Sequence, residues 1–199
     1  MAEDEMYGFE LRARFQGFET IAGVDEAGRG PLAGPVLAAA VIFPPGYTNG
    51  EIRDSKKLTP KKRETLYKII RDDAVSIGLG AIEASTIDKI NILQATLAAM
   101  KIAVQNLSTR PDYLLIDGIN TIDIPIPQET IVKGDSLSVS VAAASIIAKV
   151  SRDHLMDRYH VSYPQYNFLK NKGYGTKEHR EAVKQYGRCK IHRKSFRIK

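Results

Sequence analysis

Ile21-Ala22-Gly23-Val24-Asp25-Glu26-Ala27-Gly28-Arg29-Gly30-Pro31 runs from an apolar stretch through two adjacent acids into a glycine-rich turn. Apolar runs of this length bounded by Gly or Pro read as buried strands. Two more runs share the pattern: Tyr113-Leu114-Leu115-Ile116 ends in Asp117-Gly118, and Thr130-Ile131-Val132-Lys133 leads into Gly134-Asp135. In open α/β sheets, ligands bind in the crevice outside the carboxyl ends of the strands. Acids at several such ends would converge on one spot, where their repulsion calls for a cation.

Around these runs, strands are expected over residues 20–25, 36–43, 75–83, 112–117 and 129–133. The turn between the first two is short enough for an antiparallel pair. Val75, Ile77, Leu79 and Ala81 alternate with smaller residues, as in a half-buried strand. Thr59-Pro60 looks like an N-cap followed by proline at the first helical position, opening a basic helix to about Arg71. From Asn91, the residues Leu93, Leu97, Met100, Val104 and Leu107 recur at helical steps and predict one buried stripe, stopping near Arg110 before Pro111. A third helix is expected over 136–160, its small residues allowing close approach to the sheet, and a last one over 176–187. The long helix before residue 112 permits a crossover, so part of the sheet can be parallel. The expected fold is a mixed α/β sheet flanked by helices: one domain, with a core over about 18–160 and a helical carboxyl-terminal extension over about 161–199.

Hydrophobic content of 43% and charged content of 26% are ordinary for a globular chain. The longest apolar run, residues 36–43, is too short to span a bilayer, and Glu3, Asp4 and Glu5 replace the basic start of a signal peptide. The cytoplasm is therefore the expected compartment, and nothing demands more than a monomer. The single cysteine, Cys189, rules out an internal disulfide and a multi-cysteine zinc site. Of 29 Lys+Arg against 23 Asp+Glu, the surplus of six equals the basic residues of the 188–199 tail, which contains no acid. Such a tail suits a phosphate-rich polymer, although a solvated terminus reads the same. Whether it meets a sliding-clamp partner is left open.

Asp25 and Glu26 are neighbours, so both face one site only if the strand ends or twists there. Asp117 follows four apolar residues and needs a cation or hydrogen bonds at the core boundary, unless it merely starts a turn with Gly118. Asp135 precedes a helix, where an N-cap role would also suit it. Hard oxygen donors without a Cys or His cluster point to Mg²⁺ or Mn²⁺. The sequence contains no HExxH pair, no G-x-S-x-G elbow, no complete G-x-G-x-x-G and no Walker-type phosphate loop.

The segments 23–31, Asp54-Ser55-Lys56-Lys57-Leu58, Asp117-Gly118, Lys133-Gly134-Asp135, Ala144-Ser145-Ile146-Ile147-Ala148-Lys149-Val150 and Asn171-Lys172-Gly173-Tyr174-Gly175-Thr176 closely resemble the ribonuclease HII family, in its order. The resemblance implies a ribonuclease H-like five-stranded sheet and metal-dependent endonucleolytic cleavage of RNA in RNA/DNA hybrids. It also implies cleavage 5′ of single ribonucleotides in duplex DNA, leaving 3′-hydroxyl and 5′-phosphate ends. Asp25, Glu26, Asp117 and Asp135 match the family's metal-binding acids, which would hold two divalent ions, Mg²⁺ or Mn²⁺, ~4 Å apart. Aspartate at 135, and the lack of a long amino-terminal substrate-binding extension, favour this family over the related ribonuclease HIII.

The Gly28-Arg29-Gly30 backbone resembles the element that senses a 2′-hydroxyl, with both glycines allowing a sugar to approach; a plain tight turn would use the same glycines. Tyr174 is expected to stack on a sugar at the RNA–DNA junction, against the alternative of a local packing anchor. Lys56 and Lys149 are candidate phosphate contacts, although surface lysines are commonly just solvated. Two other readings remain: a different nuclease of the same fold, and a nucleic-acid-binding module with a structural ion. Negative charge near phosphates argues against the second.

Overall fold

The computed structural model describes residues 6–53 and 55–198, apart from the Lys57 side chain. Glu3, Asp4, Glu5, Asp54 and Lys199 lie outside the described residues. The sheet has five strands, β1 (Ile21–Ala27), β2 (Val36–Ile42), β3 (Ser76–Ile82), β4 (Tyr113–Asp117) and β5 (Gln128–Ile131), in the order β3-β2-β1-β4-β5. β1 pairs antiparallel with β2, and β2 with β3, while β1–β4 and β4–β5 are parallel. The helices are α1 (Gly8–Phe15), α2 (Pro60–Asp73), α3 (Ala84–Gln105), α4 (Val139–Ser162), the single turn α5 (Phe168–Asn171) and α6 (Lys177–Tyr186).

The sheet is covered on both faces, so β2 is buried along its whole length and reads as a continuous apolar run. On one face, Ala22, Val24, Ala38, Ala40, Leu114 and Ile116 pack against α3. On the other, Leu37, Ala39 and Val41 meet the buried sides of α2 and α4. Thr59 caps α2 and Thr176 caps α6, as their residue types predict. Among the described residues no helix is long and apolar enough to cross a membrane.

Three expectations change. First, the buried face of β3 carries Ser76, Gly78 and Gly80, while Val75 and Leu79 are exposed. Second, the buried stripe of α3 is built mainly of small residues, Ala95, Thr96, Ala99 and Ala103 with Met100 and Val104, whereas Leu93 faces outward. Backbones packed this closely leave no room for the large residues that hydrophobic periodicity weighs most. Third, α3 starts at Ala84, and Asn91 interrupts it with φ 65° and ψ 167°. The Asn91 side chain accepts the Gln94 N–H at 3.1 Å, so the expected start at Asn91 is the cap of the second half.

α1 buries only Ala13, too little to leave a pattern in the sequence. It braces α4 all the same. Glu10 accepts hydrogen bonds from the Ser138 hydroxyl at 2.6 Å and the Ser140 N–H at 3.0 Å, a carboxylate at a helix N-terminus. There α4 presses directly on β1. A Cβ on Gly23 would lie 2.1 Å from the Ser140 carbonyl carbon. Gly23→Ala is therefore expected to destabilise the fold by about 1–3 kcal/mol, the usual cost of overpacking. Urea unfolding checks this, and an unchanged midpoint would mean that α4 does not press on β1 there.

Candidate active site

The register of β1 on β4 builds the site. Gly23 pairs with Leu115 and Val24 with Ile116, so Asp25 and Asp117 come next, side by side at the ends of parallel neighbours. Beyond Val24, β1 pairs only with β2, leaving its other edge open along residues 25–27. The strand does not end at Asp25 but runs to Ala27, and Glu26 shows at the same opening because β4 has stopped. A cleft of about 250 Å³ is lined there by Asp25, Glu26, Asp117, the 28–30 turn, Lys149 and Tyr174, among others.

Asp135 stands beside Asp117, as the acid reading expects, but on a turn rather than at a strand end. β5 stops at Ile131, Lys133 adopts a left-handed conformation, and Asp135 lies buried in a 3-10 turn over Gly134–Ser136. It does not cap α4; Ser138 does, accepting the Val141 N–H at 3.2 Å. The same turn holds Asp117, whose carboxylate accepts the Gly134 N–H at 2.7 Å. Asp25 accepts the N–H of Glu26 at 2.6 Å and a hydrogen bond from Ser145, which also bonds Ser55 at 2.8 Å. Ser145 and Ser55 lie inside the quoted motifs, but nothing in their residue type marks them as supports for an acid.

Burial holds the Asp25 carboxyl well above the ordinary carboxylate range, and Glu26 and Asp117 push it the same way. Burial also raises Glu26, Arg29 opposing and Asp117 reinforcing, and raises Asp117 with Asp135 reinforcing. Lys56, although largely exposed, reaches Asp135 at 3.1 Å and lends positive charge to Glu26 and Asp117. Among the described residues no three His, Cys, Asp or Glu side chains form a ready cage for one ion. Magnesium-type ions suit this donor set. They typically take one or two carboxylates and complete their shell with water and substrate phosphates.

The other candidates surround the acids. Arg29 and Gly30 are exposed, and Arg29 lies 3.4 Å from Glu26. The two glycines have different reasons. At Gly28, φ is +92° and a Cβ would meet the Arg152 Nε at 2.0 Å, so its missing side chain admits an arginine from inside the protein. At Gly30 only the Tyr174 ring lies within reach of a Cβ, 3.8 Å away, so that position is open to a ligand. Tyr174 is 44% exposed, with the Lys149 ammonium 5.9 Å from its ring centre. Lys149 is itself ion-paired to Asp153 at 2.7 Å.

The basic tail is not simply solvated. Arg193 is 1% exposed, and Arg188 donates to the carbonyls of Arg193, Lys194 and Phe196. The Lys194 and Ser195 N–H groups both bond Asp88 at 2.9 Å. Charge composition cannot reveal an arginine turned inward onto carbonyls.

A mixed sheet with this strand order, an acid-lined cleft at the ends of β1 and β4, and a basic rim define a nuclease of the ribonuclease H-like class. A family model described as Ribonuclease HII matches residues 22–199. A ribonuclease HII of Syntrophus aciditrophicus (strain SB) is 64% identical over 191 residues, 96% of this chain and 90% of that protein. A second, from Geotalea daltonii, is 56% identical over 94% of this chain and 87% of its own length. The crystal structure of the ribonuclease H2 from Pyrococcus horikoshii OT3 superposes with a TM-score of 0.75 at 26% identity, covering 90% of this chain and 94% of that one. The chain belongs to the ribonuclease HII family, and its activity is that of a ribonuclease H-type endoribonuclease.

The raised carboxyls predict how the metal-free protein responds to pH. A carboxyl with a folded pKa above its unfolded value of about 4 adds stability below that value and loses it as pH rises through the folded pKa. Asp117→Asn, which keeps an oxygen for the Gly134 N–H, removes one such charge. In EDTA at pH 8 it is expected to melt above the parent protein, the gap closing as pH falls toward about 4. An equal or lower Tm at pH 8 would count against a buried, raised carboxyl at Asp117.

Proposed function

We propose that this endoribonuclease cleaves on the 5′ side of ribonucleotides, in RNA/DNA hybrids and singly within duplex DNA, leaving 3′-hydroxyl and 5′-phosphate ends. The observation that carries the reading is the parallel register that sets Asp25 beside Asp117, with Glu26 at the same opening. Asp25, Glu26, Asp117 and Asp135 would hold two divalent ions, Mg²⁺ or Mn²⁺. When bound, such ions acidify a water, neutralise phosphate charge and steady the leaving 3′ oxygen.

The chain's own groups do the rest. The Gly134 N–H and the Ser145 hydroxyl fix the carboxylate orientations. Lys56 moderates the acids' repulsion and, with Lys149 and Arg29, meets phosphates at the rim. The Gly28-Arg29-Gly30 backbone senses the 2′-hydroxyl, a group that both donates and accepts. Tyr174 stacks on a sugar at the junction; its exposure and its place beside Gly30 support this.

Incubation with a duplex bearing one ribonucleotide is expected to give a single cut with Mg²⁺ or Mn²⁺ and none with EDTA. Asp117→Asn is expected to abolish the cut while duplex affinity stays within about twofold, because the carboxylate adds nothing to phosphate binding. Cleavage in EDTA, or normal turnover by this variant, would refute the metal-dependent reading. Tyr174→Ala is expected to slow cleavage at the lone ribonucleotide about tenfold, the scale of one lost stacking contact, with Tm nearly unchanged. An unaltered rate would return Tyr174 to a packing role.

A further inference from the structure

Arg152 of α4 and Arg193 of the carboxyl-terminal segment are each 1% exposed, and among the described residues neither forms an ion pair. Their donors go to six backbone carbonyls instead. Arg152 bonds Pro35 at 3.0 Å, Ala33 at 3.0 Å and Lys172 at 2.9 Å. Arg193 bonds Gly34 at 3.0 Å, Arg29 at 2.7 Å and Gly28 at 2.5 Å. Burial, with Arg152 nearby, pulls the Arg193 pKa down to about 9. Burying a cation without an acid costs free energy that only full hydrogen bonding offsets. A fold that keeps two of them side by side gains something specific, and the geometry says what.

A trans peptide points its C=O and its N–H in opposite directions. The carbonyls of Gly28 and Arg29 are drawn inward by Arg193, so the N–H groups of Arg29 and Gly30 face outward. Both residues line the acid cleft, and among the described residues neither N–H has a protein acceptor. We propose that Arg193 is a positioning residue for ribose recognition, aiming these two N–H groups at the 2′-oxygen from behind the turn, with Arg152 fixing the turn's far limb. This rests on the reading that the 28–30 backbone senses the 2′-hydroxyl. The carboxyl-terminal segment thereby sets the preference for ribonucleotides rather than only attracting phosphates. It is anchored on both sides of Arg193, as a positioning element must be. Asp88 holds the segment after Arg193, and His192 before it bonds His179, whose ring meets the Tyr174 carbonyl at 2.8 Å.

Single-turnover cleavage is compared on two duplexes, one with a single ribonucleotide and one with a 2′-fluoro nucleotide there, which accepts weakly and cannot donate. Enzymes are the parent, Arg193→Gln, Arg193→Lys and Gly30→Ala, each also followed by thermal melting. A smaller folded fraction lowers both rates together and leaves their ratio untouched. The ribo-to-fluoro ratio is expected to fall about tenfold in Arg193→Gln, the scale of one misaimed hydrogen bond, and less in Arg193→Lys, which keeps a cation. Gly30→Ala, which crowds the N–H directly, is expected to lower it as well. An unchanged ratio in both Arg193 variants, with Gly30→Ala lowering it, overturns the positioning role and leaves the turn's role standing. An unchanged ratio in all three overturns both.

Discussion

Parallel pairing of β1 with β4 is the constraint on which the site depends. Side chains alternate along a strand, so sliding β4 by one residue would turn Asp117 to the opposite face from Asp25. The register is held by burial: Val24 and Ile116 share one packed face, and α4 presses on the other through Gly23. A core that fixes register this firmly can hold like charges together. Each carboxyl is raised first by its burial and further by its acidic neighbours, and a divalent cation would relieve both. The same packing that stabilises the sheet therefore supplies the strain that makes the cleft receptive to metal.

A second constraint joins three segments far apart in sequence. The Gly173 carbonyl accepts the N–H of Leu32 at 2.8 Å, Arg152 ties Lys172 to Ala33 and Pro35, and Arg193 ties the carboxyl-terminal segment to residues 28, 29 and 34. Tyr174 and the 28–30 turn thus form one surface beside the acids. Gly28 makes this joint feasible, since any Cβ there would occupy the place of the Arg152 guanidinium. The cleft has two independently built walls, one of strand ends and one of stapled loops.

Much of the first wall was legible in the sequence. Buried strands with both faces covered read as unbroken apolar runs, and an acid directly after such a run is conspicuous, as with Asp25 and Asp117. The second wall was legible only through the family resemblance, because local pattern cannot announce a carbonyl bound by an arginine more than a hundred residues away, as between Gly28 and Arg193. Periodicity also erred where packing was tightest: it favoured Leu79 and Leu93, whereas the interface between β3 and α3 uses Gly78, Gly80, Ala99 and Ala103. At Asp135 residue type alone left two readings open, an N-cap or one of the grouped acids; Ser138 takes the cap and leaves the aspartate beside Asp117.

The charge arrangement explains why the arginines lack acid partners. A polyanionic substrate must approach carboxylates that repel it, so positive charge has to stand nearby without being cancelled. Lys149 is matched by Asp153, and its field at the cleft is muted accordingly. The carbonyl partners of Arg152 and Arg193 are neutral, so the two cations are held in place without an ion pair among the described residues, with Asp153 and Asp88 acting on them only at longer range. Beneath the 28–30 turn that charge adds to the outward-facing N–H dipoles, and both favour an oxygen carrying excess electron density. Buried cations satisfied by backbone are thus held rigidly behind the 28–30 turn, whereas surface lysines are mobile and screened by water and salt.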